Sequence, residues 1–171
     1  MGYAPFTGDD SSPIRPVVSI WVPAQMFTAT VGSPTLSFTS TGLIPGWLLD
    51  ATSDETVTSV VHLPKTWATF TCTIRWTNVG AGSGNVVWIK ERRTPDLASG
   101  VTLVSTAGGS TSPTVAAPAQ WVVAASTLSG ALSAPTTDVP VGVSIGRVGS
   151  TGADTLANDV LFMGVTLDRA S

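Results

Sequence analysis

In the segment Trp67-Ala68-Thr69-Phe70-Thr71-Cys72-Thr73-Ile74-Arg75-Trp76, apolar and polar residues alternate from Ala68 to Trp76. Even positions hold Ala, Phe, Cys, Ile and Trp, while odd positions from 69 to 75 hold Thr, Thr, Thr and Arg. A period of two sends one side of the chain into a core and the other away from it, which a helix with its period of about 3.6 cannot do. The spacing therefore predicts a half-buried β-strand. Val139, Val141, Val143 and Ile145 repeat the pattern around Gly142, Ser144 and Gly146, with Pro140 pointing to an edge position or a late start. Near the end, Leu161, Met163, Val165 and Leu167 read as one face, and Phe162, Gly164 and Thr166 as the other.

Shorter β-type runs fall at residues 17–22, 35–40, 47–51, 56–63, 85–92, 101–105 and 120–126. Turn signals separate them: Gly32-Ser33-Pro34, Ser53-Asp54, the glycine-rich run 80–84, Gly108-Gly109-Ser110 and Ala134-Pro135. Ala24-Gln25-Met26-Phe27 and Leu156-Ala157-Asn158-Asp159 are long enough for a helical turn and no more. Ser and Thr together make up about a quarter of the 171 residues, which weights the composition further towards strands and turns. About eight to ten short strands suit an all-β fold, a single antiparallel β-sandwich of jelly-roll-like type. Residues 17–171 form this domain, large enough to bury about 70% of its unfolded surface. Residues 1–16, with Pro5, Pro13 and Pro16 among Gly, Asp and Ser, read as an extended N-terminal arm or linker. The stretches 94–100 and 106–118 read as surface loops of the kind that carry contacts.

Eight Lys and Arg against eleven Asp and Glu leave a net charge of −3, without the basic surplus that nucleic-acid binding demands. Lys90, Arg92 and Arg93, broken by Glu91, read as a solvated strand end. Cys72 is the sole cysteine, so no internal disulfide forms, and its place in the alternating strand marks it as a buried apolar filler. The first residues lack a basic segment followed by a continuous apolar one. No apolar run approaches the ~18–20 residues that span a bilayer. A soluble chain made in a cytoplasm is expected, with no membrane partner.

Side chains for chemistry are scarce. His62 is the only histidine and shares one face of the 56–63 run with Thr58 and Val60; a triad or zinc site would need partners that one Cys and scattered acids hardly supply, so it is read as a surface or interface imidazole. Glycoside hydrolysis needs two carboxyls ~5–9.5 Å apart, and the candidate pairs are Asp50 with Asp54 or Glu55, and Asp154 with Asp159. All lie at turns, where carboxylates cap backbone N–H groups. Asp154, Asn158 and Asp159 supply oxygen donors of the kind calcium takes, at a spacing that matches no calcium loop. The 80–84 run lacks the Lys and following helix of a phosphate loop. No catalytic, cofactor-binding or metal-ligating residue is assigned, and no enzyme activity is expected. Of the six Trp, Trp76 reads as core and Trp67 as closing a strand end, while Trp21, Trp47, Trp88 and Trp121 divide between core, subunit interface and glycan stacking.

Taken together, Leu63-Pro64-Lys65-Thr66-Trp67, Thr73-Ile74-Arg75-Trp76, Gly84-Asn85-Val86-Val87-Trp88 and Asp154-Thr155-Leu156-Ala157-Asn158-Asp159-Val160 resemble a β-sandwich module of structural proteins in tailed bacteriophages. The resemblance spans roughly residues 17–169. It implies a non-enzymatic virion component, often trimeric, assembled in the host cytoplasm. On this reading the chain is a capsid decoration or cement protein that binds the major capsid protein or other virion proteins and bridges capsomers. The alternative is the head of a short tail fibre or spike that recognises a bacterial surface glycan.

Overall fold

The computed structural model describes residues 17–39, 42–95, 105–134 and 140–170. The 1–16 arm, residues 101–104 of one expected strand and Pro135 of one expected turn lie outside the described residues. The chain forms strands β1 (Ser19–Pro23), β2 (Thr28–Val31), β3 (Thr35–Phe38), β4 (Pro45–Leu49), β5 (Asp54–Val61) and β6 (Thr69–Asn78). β7 (Asn85–Pro95), β8 (Ser105–Thr111), β9 (Thr114–Ala116), β10 (Ala124–Ser133), β11 (Val141–Val148) and β12 (Val160–Arg169) complete it. A 3-10 turn at Ala24–Met26 follows β1 where a helical turn is expected. All pairings between these strands are antiparallel.

The strands make two facing sheets, a jelly-roll-like β-sandwich. The first sheet runs β10-β6-β12-β4-β3, with β1 beside β4 on β12; the second runs β2-β5-β11-β7-β8, with β9 beside β8 on β7. β6 alternates as its sequence dictates: Phe70, Cys72, Ile74 and Trp76 are fully buried, and the intervening Thr69, Thr71, Thr73 and Arg75 face out. The centre of the core is aromatic. Trp76 and Trp88 meet edge to face at 5.1 Å, and Phe27 and Phe162 do the same at 5.2 Å.

Several expectations are corrected. A bulge at Met163 shifts the phase of β12: Phe162, Val165 and Leu167 lie opposite Trp76, Ile74 and Cys72 and face inward, so Leu161 and Val165 do not share a face. β11 starts late, after Pro140, yet it is central between β5 and β7 rather than an edge strand. Gly108-Gly109-Ser110 is not a turn but part of β8, and Thr114–Ala116 is strand β9, because both pair with the long β7. Tertiary pairing overrides their weak β-propensity. The 120–126 run becomes strand only from Ala124 onwards. Leu156 and Asn158 are not helical; their carbonyls turn instead to Arg147, at 2.5 and 2.7 Å.

Candidate functional site

The residues with chemical potential are consumed by the fold. Arg147 ends the inward row Val141, Val143, Ile145 of β11 and is fully buried. Its Nε and Nη2 donate to the two carboxylate oxygens of Asp154 at 2.9 and 2.7 Å, and the Val87 N–H donates to the same carboxylate at 3.0 Å. This ion pair, with the two carbonyl contacts above, clamps residues 154–159 onto the second sheet. Asn158 in turn lies over the glycine run, where a Cβ on Gly80 would fall 2.3 Å from its side chain. Three of the four segments that carry the phage resemblance thus meet in one knot, Trp76 on Trp88 and the 154–160 loop on residues 80–88; the fourth, residues 63–67, is fastened elsewhere, by the Trp67 Nε1 donating to the Val17 carbonyl at 2.9 Å.

Each remaining candidate carboxylate is likewise a structural tie. Asp50 accepts from the N–H and hydroxyl of both Thr52 and Ser53, bonds that hold it below the ordinary carboxylate range. Glu55 is buried and accepts from the N–H groups of Ser33 and Asp50 at 3.1 and 2.7 Å. Asp54 accepts from the Ser150 N–H, and Asp159 from the Ala51 N–H, both at 3.1 Å. Among the described residues no group of three or more His, Cys, Asp or Glu side chains is placed to hold a metal ion. His62 lies just past the end of β5 and is exposed, as the surface reading expects.

The reading of Lys90, Arg92 and Arg93 as a solvated strand end fails for the first two. Lys90 and Arg92 lie on the inward face of β7 and are buried, while Arg93 faces out and pairs with Glu91 at 3.0 Å. Lys90 Nζ reaches across the sandwich to the carbonyls of Leu128 (2.8 Å) and Gly130. Burial lowers the Lys90 pKa and pushes the thiol of nearby Cys72 up to about 12.

Two outer surfaces remain. On the second sheet a groove of about 590 Å³ runs over β5, β11 and β7. Thr30, Thr58 and Ser144 link their hydroxyls through it at 3.0 and 2.8 Å, and Glu91 and Arg93 form its ion pair. No aromatic ring lines it. On the first sheet Thr127, Thr73, Thr166 and Trp21 form one lateral row across β10, β6, β12 and β1. Strand spacing makes that row about 14 Å long. The Trp21 ring, 48% exposed, lies against Gly164 of the β12 bulge, where any Cβ would fall 2.5 Å from it. Exposed Arg75 flanks the row on one side, and Asp168, accepting from Ser19 at 2.8 Å, on the other. Of the other uncertain tryptophans, Trp88 is core, Trp47 is half-buried with its Nε1 on the Ala24 carbonyl, and Trp121 is 38% exposed. The pairing register across β1 and β12, which sequence alone does not reveal, is what assembles this surface.

No protein-family model matches the chain, and no curated protein sequence matches it. Solved structures do match its fold. The CBM36-1 domain of a multidomain xylanase from the hindgut metagenome of Trinervitermes trinervoides is similar over 90% of this chain and 98% of that one, with a TM-score of 0.54 at 12% identity. Carbohydrate-binding module CBM36 in complex with calcium and xylotriose is similar over 87% and 99%, with a TM-score of 0.53 at 13% identity. The mosquito-larvicidal Cry4Aa toxin of Bacillus thuringiensis matches over 90% of this chain and 24% of its own, with a TM-score of 0.52 at 12% identity. At such identities the likeness is one of architecture.

Proposed function

We propose that this chain is a non-enzymatic structural component of a tailed-bacteriophage virion, a decoration or cement protein that acts by binding other protein surfaces. One observation carries the reading: Asp50, Asp54, Glu55, Asp154 and Asp159, the acids from which a catalytic or metal site would be drawn, all serve as ties between turns and strands. What remains outside is mainly hydroxyl groups and apolar side chains with a few scattered charges, a surface that favours packing over chemistry. The tryptophans of the resemblance segments also agree, since Trp67, Trp76 and Trp88 are all buried in the core. Many copies on a shell would bind multivalently, so modest single contacts suffice. The test is mass spectrometry of purified phage particles together with co-sedimentation of the chain with isolated capsids. Stoichiometric copies and binding to capsids are expected; particles that lack the protein reject the reading.

A second reading is favoured by the Trp21 row. A half-exposed indole beside a line of threonine hydroxyls, Arg75 and Asp168 offers an apolar face for a sugar ring and donors and acceptors for its hydroxyls. The xylotriose complex of CBM36 shows that a domain of this architecture can carry carbohydrate. On this reading the chain is the glycan-recognising head of a fibre or spike. Glycan-array binding that disappears in Trp21→Ala, with capsid binding absent, would replace the first reading with this one.

A further inference from the structure

The charges of this chain are sorted by strand position. Every Lys, Arg, Asp and Glu falls within residues 9–15, 50–96 or 138–169, so residues 16–49 and 97–137 carry none. The first neutral stretch builds β1 to β4, and the second contains β8, β9 and β10. Topology gives this a consequence. β3 and β10 are the outer strands of one sheet, β2 and β8 those of the other, with β1 and β9 as short additions. The five strands that hold charges (β5, β6, β7, β11 and β12) all have neighbours on both sides. Edge strands of isolated β-proteins are normally guarded the other way, by charges that discourage pairing with another chain.

Exposed apolar groups follow the same division. Of the thirteen large hydrophobic side chains exposed among the described residues, twelve lie in the two neutral stretches, Val60 being the exception. β4 packs over β5, and β10 over β7 and β8, so β2 and β3 edge one flank of the sandwich and β8 and β10 edge the other. The two flanks differ in relief. The first carries Met26, Leu36, Phe38, Leu43 and Ile44, between 45% and 80% exposed. The second carries the small residues of Ala-Ala-Ser-Thr-Leu-Ser-Gly-Ala-Leu-Ser in β10, with Trp121, Val122 and Val123 ahead of them.

We propose that each flank is covered by the opposite flank of a second copy of this chain, the bulky edge of one protomer seating on the small-residue edge of the next. The proposal builds on the structural reading above and names the surface that it uses. A charged partner surface would find no counter-charge on β1 to β4 or on β8 to β10, whereas the same strands of a second copy bring no charge to be desolvated. The five bulky side chains of the first flank expose on the order of 500 Å², at the upper end of what a monomer shows and more than half of the ~800 Å² each partner gives to a standard interface. Because the two joined surfaces are different, the contact is head to tail, and closure gives a ring of three or more chains.

The test is the mass of the full chain by light scattering and sedimentation, followed by mixing of two variants. Leu36→Glu/Phe38→Glu blocks the bulky flank, and Val122→Glu/Val123→Glu the other. The wild type is expected as a closed oligomer of at least three chains, each variant alone as a monomer, and the equimolar mixture as a 1:1 dimer joined through the intact flank of each. A wild type that is monomeric, dimeric or open-ended overturns the proposal, as do variants that stay apart on mixing. Hydrogen exchange of the wild type covers the case of a misfolded variant: protection on both β3 and β10 should fall on dilution, and protection lost from one flank alone overturns the ring. Phage particles that contain a protein found monomeric in solution would leave the virion reading standing and remove this one.

Discussion

Arg147 and Lys90 are both fully buried cations of this sandwich, and the chain treats them in opposite ways. Arg147 meets a carboxylate through two nitrogens and two backbone carbonyls through the rest of its fork, so its charge is neutralised and its donors used. Lys90 meets only carbonyl dipoles, those of Leu128 and Gly130, with the uncharged thiol of Cys72 beside it. The carbonyls are not arbitrary. β10 slips its register against β6 between Leu128 and Leu132, and Lys90 supplies donors where that ladder is interrupted. The first cation is half of a closed pair that fastens a loop; the second patches a bulge and stays an ammonium in an unfavourable setting, which is why its pKa is lowered.

The difference sets the expected order of damage. Asp154→Ala strands a fully buried guanidinium and releases the Val87 N–H, and should cost about 3–5 kcal/mol, read as a fall in the midpoint of chemical denaturation. Lys90→Met removes an ion from the core together with its hydrogen bonds, so desolvation relief offsets the lost contacts and the cost falls to about 1–2 kcal/mol. Equal losses in the two variants would show that pairing is not what separates the sites.

The same comparison marks what sequence can reveal. β6 is legible because Phe70, Cys72, Ile74 and Trp76 alternate with Thr69, Thr71, Thr73 and Arg75, whereas β5 mixes its faces, burying Glu55 and Ser59 and exposing Val60. The run Val86-Val87-Trp88-Ile89-Lys90-Glu91-Arg92-Arg93 is not legible, since apolar residues occupy both faces at its start and charges both faces at its end. Only pairing with β11 tells that Lys90 and Arg92 go inward. Arg147 did carry a signal: it follows Val141, Val143 and Ile145 at the same parity, which places a cation in the core and calls for a buried acid nearby. Asp154, seven residues on, then reads as its partner rather than as a catalytic acid. The Met163 bulge had no such signal, because one inserted residue flips a face without changing composition. The Trp21 row depends on it, as Gly164 takes its place under the indole only after that shift.

The smallest expected effect at neutral pH comes from Cys72, and it sharpens the picture of the unpaired cation. Cys72→Ala removes one buried sulfur, at a cost of about 1 kcal/mol. Its distinctive mark lies at high pH. The folded thiol keeps its proton up to about 12, while the unfolded thiol loses it near 9.0, so its contribution is present below pH 9 and declines as pH rises towards 12. Lys90 acts in the other direction: its folded pKa is lowered from 10.5, the unfolded chain holds more protons, and stability rises as pH climbs towards that value. The two nearly adjacent groups therefore pull the alkaline stability profile in opposite senses. In a comparison of denaturation midpoints from pH 8 to pH 11, the gap between wild type and Cys72→Ala should narrow above pH 9, while Lys90→Met should lose the upward component and fall more steeply than wild type. A gap between wild type and Cys72→Ala that stays constant across this range would mean that the thiol ionises no less readily in the core than in the unfolded chain, and a Lys90→Met profile parallel to wild type would mean that the carbonyls around Lys90 offset the burial of its charge.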